Sequence, residues 1–411
     1  MAATGASKEW RHYPMLPIAA ALGYATSVIH IYGFNPYVLP ISEAFGWTRT
    51  QVTVGLTIAT LIQAIFSIPI GILVDRVGPR RLGLLGIVLT ATAFAMLGTA
   101  TGEKGNWYLL WGLMAVATLP VQATIWTSAV ATRFDASRGL AFAVTLCGAS
   151  VAIAVFPYLG TKLIAAYGWK NAFAIQAGIW LTIAFPMLLF FFRGANDQTR
   201  ETGQPQMPDK ATLPGVSISE GLRSTIYVRL LLASLLFTFT IVALAFHFGL
   251  ILTGRGVDKL KAAELAALIG LFSIIGRLGT GFLLDRFRGS LVGAAAFLLP
   301  VIACLLLIST GTNPSAAAIA AATIGLTLGS EIDVIVFLVT KHFGLRNFGA
   351  LYGGLLAALS VGTATGPLAA SKVFDSYGDY APFLWLTVGF MIVSSLALAS
   401  LPRPAFDIPG A

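Results

Sequence analysis

The chain has 411 residues, 57% of them hydrophobic and only 10% charged. Soluble domains carry about 25% charged residues, so there are too few here to cover a surface facing water. The net charge of +9 is not interleaved with aromatic side chains, which argues against a nucleic-acid interface. Cys147 and Cys304 lie inside apolar runs, so they make neither a disulfide framework nor a CxxC metal site.

Twelve spans of about 20 residues need roughly 240 residues in hydrocarbon, close to the apolar total. Lys8 and Arg11 precede an apolar run from Pro14 to Leu39. It is too long for a signal-peptide core and reads as the first retained span. Twelve helices are predicted near 14–39, 52–74, 82–101, 107–131, 139–163, 172–192, 227–252, 262–284, 290–310, 315–340, 348–372 and 382–401. Gly, Pro, Asn or charge bounds each one, as at Lys104-Gly105-Asn106 and Thr312-Asn313-Pro314. Trp10, Trp47, Trp107, Trp169 and Trp385 fall near proposed ends, where interfacial aromatics belong.

The basic residues fix an orientation. With both ends inside, the cytoplasmic segments hold seventeen Lys and Arg against eight outside, and Arg277 is left over within a span. That asymmetry predicts cytoplasmic termini. The polar stretch 194–226, with Gln204-Pro205, Pro208 and Pro214-Gly215, reads as a cytoplasmic linker between halves 1–193 and 227–411. Ser217–Arg223 reads as a short surface helix. A shift of 210 residues overlays Gly46 on Gly256, Gly71 on Gly281 and Asp75-Arg76 on Asp285-Arg286. Two parallel six-helix halves repeated in this way are a transporter architecture.

The stretch Gly71-x-x-x-Asp75-Arg76-x-Gly78-Pro79-Arg80-Arg81, with its weaker copy at 281–286, sits in the first loop of each half. With twelve spans, a half-repeat and a basic central loop, this resembles the major facilitator superfamily over nearly the whole chain. Gly46-Trp47-Thr48-Arg49, Arg133-Phe134…Arg138-Gly139, Tyr167-Gly168-Trp169-Lys170 and Phe272-Ser273-x-x-Gly276-Arg277 resemble its monocarboxylate and oxalate–formate branch. The resemblance implies an all-α membrane fold of two pseudo-symmetric six-helix bundles, and a carboxylate-binding role for Arg277. Ser273 stands where relatives can have an acid, and spans one and eleven lack a central lysine, which weighs against a dianion.

Arg277 lies about 22 Å along span eight, where a charge costs about 2.5–3.5 kcal/mol. It needs a water-filled cavity and an anionic guest, or a fixed ion pair to Glu331 or Asp333. A guanidinium suits a carboxylate. Glu331 and Asp333 in span ten point about 200° apart, so one of the two faces the cavity as a proton carrier and the other is a structural tie. His30 in span one and His247 in span seven are substrate-contact candidates, since imidazole titrates near neutrality; the alternative is a neutral ring bonded to a carbonyl. Tyr24 and Asn35-Pro36 in span one, and Gln122 and Trp126 sharing a face of span four, complete the candidates, against ordinary packing. Asp75, Arg76, Arg80 and Arg81, with Asp285 and Arg286, read as an inside gate.

The sequence thus reads as a secondary transporter for a small organic anion, a monocarboxylate, coupled to protons and sitting as a monomer in a bacterial inner membrane. No GxxxxGK[ST] P-loop, HExxH or GxSxG occurs, so neither ATP drive nor an enzyme is expected, and no cofactor or metal. The rivals are an efflux antiporter for a hydrophobic or cationic compound, and a non-transporting membrane sensor.

Overall fold

The computed structural model describes residues 2–134, 137–194, 215–284, 286–309, 313–344 and 347–404. Among them the regular structure is helical, apart from one isolated antiparallel bridge between Gly215 and Gly344. Contacts group the chain into two units, Met1–Thr202 with Lys259–Gly270, and Gly203–Asp258 with Leu271–Ala411.

In the first unit the helices are α1 (Ala2–His12), α2 (Met15–Ser27), α3 (Val38–Phe45), α4 (Arg49–Val77), α5 (Pro79–Met96), α6 (Lys104–Ala117), α7 (Ala123–Ala131) and α8 (Arg138–Phe191). Their ends follow local chemistry. Thr48 and Gln51 form a reciprocal capping box at the start of α4. Gly46 adopts the left-handed conformation that ends α3. Gly168, at φ 73°, breaks α8 into two helical stretches, matching the predicted boundary between spans five and six.

Two predicted spans are bent here. The first runs as α2, a π-helical turn at Ile29–Gly33, a 3-10 turn at Asn35–Tyr37 and α3, with a bend of 51°. The fourth runs as α6, a 3-10 turn at Leu119–Val121 and α7, with a bend of 42°. Pro36 and Pro120 stand in the 3-10 turns, where a missing N–H ends the regular ladder. α2 packs along α8. Trp107, predicted at an interface, is instead buried in a cluster with Phe34, Trp47 and Trp111.

The second unit begins with the short α9 (Ile218–Arg223), capped by Ser217 as its sequence suggests. Then come α10 (Thr225–Gly254), α11 (Lys259–Leu284), which belongs to this unit from Leu271 onward, α12 (Gly289–Ser309), α13 (Pro314–Phe343), α14 (Phe348–Tyr377) and α15 (Ala381–Ala399). α10 lies along α14, and α12 packs against α13 and α15. Asn313 caps α13, with Pro314 in its first turn.

Eight of the described helices are long and apolar enough to cross a membrane, and ten spans result if each bent pair is one. Large apolar side chains are exposed along them, for example Leu271, Ile275, Leu278 and Phe282 on α11. Such faces suit lipid, not water. The chain is a multi-pass membrane protein.

Candidate functional site

α11 and α13 meet at two glycines. A Cβ on Gly276 would strike the Leu326 carbonyl, and one on Gly329 would strike the Ser273 carbonyl and the Arg277 amide. Small residues allow backbones this close in membranes. Beside them Thr280 donates to the Ser330 hydroxyl at 2.6 Å, and that hydroxyl donates to the Leu326 carbonyl at 2.7 Å. Ser273, Arg277, Thr280 and Leu284 lie on one face of α11. All four are buried, opposite the exposed apolar stripe.

The crossing brings Arg277 to Asp333. Its Nη1 stands 3.4 Å from Oδ1 and 3.5 Å from Oδ2, so one nitrogen faces both oxygens at the long limit of a hydrogen bond. Asp333 keeps 29% of its side chain exposed, while Arg277 keeps 7%. The Arg277 Nε is buried and has no hydrogen-bond partner among the described residues. Glu331 is 7% exposed and is placed in no ion pair among the described residues; Arg277 is the charge that acts on both acids. Of the candidates read from sequence, these three are the ones brought together.

His247 is fully buried and engaged at both ring nitrogens. Nε2 lies 2.9 Å from the Pro367 carbonyl and Nδ1 lies 3.0 Å from the Tyr380 hydroxyl. A carbonyl only accepts, so Nε2 carries the hydrogen and Tyr380 donates to Nδ1. Ser371 donates to the same Pro367 carbonyl at 3.0 Å. The first unit has a counterpart. Tyr37 donates to the Gln176 Oε1 at 2.7 Å, Gln176 Nε2 donates to the Phe156 carbonyl at 3.3 Å, and Thr161 donates to the Pro157 carbonyl at 2.8 Å. The 210-residue shift carries Tyr37 onto His247, Pro157 onto Pro367 and Thr161 onto Ser371. Tyr37, Gln176 and Tyr380 were not among the sequence candidates; the coincidence of the repeat could have found Tyr37 opposite His247, but it pairs Gln176 with Leu386 and Tyr380 with Lys170 and so gave no signal for either.

The remaining candidates are dispersed. His30 sits in the π-helical turn of the first span, 1% exposed. Neither ring nitrogen makes a hydrogen bond of full geometry, the Ser27 backbone being the polar group within reach. Trp126 is fully buried over Gly23 and Gly83, and its Nε1 donates to the Val121 carbonyl at 2.7 Å and to the Ser27 hydroxyl at 3.2 Å. Gln122 donates to the Gln63 carbonyl at 3.1 Å, tying α4 to the break in the fourth span. Asn35 is buried in its 3-10 turn and Tyr24 is half-buried on α2.

In the cytoplasmic motif Arg80 reaches the end of α8, donating to the Leu189 carbonyl at 2.6 Å and the Phe192 carbonyl at 2.7 Å. Carbonyls at a helix C-terminus lack intrahelical donors, so the guanidinium serves as their cap. In the second unit Arg288 donates to the Leu401 carbonyl, just past the end of α15. Arg81 is exposed, and Arg286 lies 3.9 Å over the Phe282 ring. The side chains of Asp75 and Arg76, and the whole of Asp285, lie outside the described residues.

A sequence model of the Major Facilitator Superfamily matches residues 20–353. The chain belongs to that superfamily. Among its superfamily relatives, MFS transporter asaE of Aspergillus flavus is 24% identical over 81% of this chain and 73% of its own. Monocarboxylate transporter 13 of Bos taurus is 24% identical over 90% and 84%. A chloramphenicol resistance protein of Streptomyces lividans is 27% identical over 85% and 87%. In fold the chain is similar to a bacterial homolog of the human lysosomal transporter Spinster, solved inward-facing and occupied. That likeness has a TM-score of 0.66 at 17% identity, covering 95% of this chain and 96% of the other. Superfamily membership makes the chain a transporter.

Proposed function

We propose that the protein moves a small monocarboxylate across the membrane by alternating access, coupled to protons. Twelve spans, cytoplasmic termini, a monomer and a bacterial inner membrane complete the reading. The observation that carries it is the state of Arg277. A buried guanidinium N–H without a partner costs about 1–3 kcal/mol. The Nε edge is one of the two edges through which arginine grips a carboxylate bidentately, and Asp333 occupies Nη1 instead. A carboxylate on the Nε side would satisfy the buried donor and leave the Asp333 contact in place. The likeness to monocarboxylate transporter 13 points the same way.

A second reading is efflux of a hydrophobic or cationic compound, favoured by the likeness to the chloramphenicol resistance protein and by the part-open Asp333. The two are separated by one experiment on purified protein. Thermal stability is measured against lactate, pyruvate, benzoate, succinate and chloramphenicol. Stabilisation by monocarboxylates, lost in Arg277→Ala, supports the proposal; so does saturable uptake into liposomes that needs a pH gradient. Stabilisation by chloramphenicol alone, or uptake unchanged in Arg277→Ala, overturns it.

A further inference from the structure

Resting on the carboxylate reading, we infer that Asp333, and not Glu331, takes up the proton that accompanies each substrate, and that the site is thereby restricted to monoanions. The two acids stand two residues apart on one helix and differ in every respect that matters. Asp333 is nearly a third exposed and contacts the guanidinium through one long-range pairing, 3.4 and 3.5 Å from a single nitrogen. Glu331 is buried and is placed in no ion pair among the described residues. An ionised carboxylate buried without a bonded cation costs several kcal/mol, on the order of a whole ion's desolvation. Glu331 is therefore carried as the acid throughout the cycle.

Charge counting then assigns the roles. The empty site holds Arg277 positive, Asp333 negative and Glu331 neutral, which sums to zero. An arriving monocarboxylate adds one negative charge to a region of low dielectric. One proton restores neutrality, and the group able to accept it is the one that is ionised and open, the Asp333 carboxylate. The proton comes from water on the side to which the site is open, forms an O–H bond on an Asp333 oxygen, and leaves to water on the other side as substrate departs. A dianion would need a second proton, and Glu331 already has its own. The other charged residues of α11 and α13 lie away from the pair along their helices: Lys259, Lys261 and Glu264 are at least thirteen residues, about 20 Å, before Arg277, and Lys341 and His342 at least eight residues, about 12 Å, beyond Asp333. α12 carries no charged residue. On α10, Tyr227, Arg229 and His247 are tied to the Leu351, Ser400 and Pro367 carbonyls. On α14 the charged residues are Lys372 and Asp375, in its last two turns.

The test uses the full chain in detergent and in liposomes, with the monocarboxylate from lactate, pyruvate and benzoate that stabilises wild type most, and succinate as the dianion. Calorimetry in buffers of different ionisation enthalpy counts the protons bound with it. Wild type should take up one proton per monocarboxylate above the Asp333 midpoint. Its apparent Kd should rise about tenfold per pH unit there, and succinate should not bind. Glu331→Gln, which mimics the neutral acid, should keep both the proton and the slope. Asp333→Asn should bind the monocarboxylate with no proton and a flat pH profile, exchange it across liposomes, and fail to accumulate it on a pH gradient. Loss of the proton in Glu331→Gln, or its retention in Asp333→Asn, overturns the assignment while the carboxylate reading stands. If Asp333→Asn does not fold, Asp333→Ser replaces it, and a wild-type count of zero or two protons overturns the assignment unaided. If wild type binds none of the three monocarboxylates, the carboxylate reading falls with it.

Discussion

Arg277 reaches Asp333 because two residues near it have no side chain. Gly329→Ala would put a methyl group against the Ser273 carbonyl and the Arg277 amide. Overpacking of this kind costs about 1–3 kcal/mol, and here it would also part α11 from α13. The expected result is a lowered melting temperature in detergent together with weakened carboxylate binding. Thr280→Val, which removes one inter-helix hydrogen bond and keeps the volume, should cost about 1 kcal/mol and leave binding largely intact. If Thr280→Val hurts binding as much as Gly329→Ala, the close crossing is not what positions the arginine. At this scale the sequence was informative about charge and poor in contacts. A lone arginine in an apolar span stands out from composition, and two acids at a similar depth name its partners. Which acid it meets depends on the helix crossing, and the glycines that set the crossing look like any others in a membrane chain.

Polar clasps recur at the level of helices. Each unit joins its first span to its fifth and sixth through hydrogen bonds that sit beside a proline carbonyl. One clasp is a phenol and an amide, Tyr37 with Gln176; the other is an imidazole and a phenol, His247 with Tyr380. Removing one hydroxyl from each, in Tyr37→Phe and Tyr380→Phe, should cost about 0.5–1.5 kcal/mol apiece. The two share no partner, so the double variant should lose the sum within about 0.5 kcal/mol, as read by denaturation in detergent. Coupling well above that would mean the clasps are not independent. Predicted and observed helices agree over most of their lengths because Gly, Pro and Asn mark their ends. The departures are the bends in spans one and four, where a continuous apolar run hides a change of direction. Pro36 and Pro120 were visible in the sequence, but a proline inside a membrane helix leaves its angle open to whatever neighbours it finds.

The whole molecule carries a repeat that the sequence already displays, from Gly46 and Gly256 to the paired Asp-Arg motifs. Its proposed orientation has a direct test. A cysteine in place of Glu103 or Asp258 should react with an impermeant maleimide from outside intact cells, and one in place of Ser217 should react only after permeabilisation; the reverse pattern would invert the topology. Cys304 is buried and Cys147 half-buried, which keeps the background low. The repeat does not extend to stiffness. The first half builds its first and fourth spans from jointed pieces bent by 51° and 42°. The matching helices of the second half, α10 and α13, are unbroken rods of 30 residues each. In the alternating access proposed above, strain should be taken up by flexing at the knuckles of one half and by tilting of the other, so the two halves need not share the work equally.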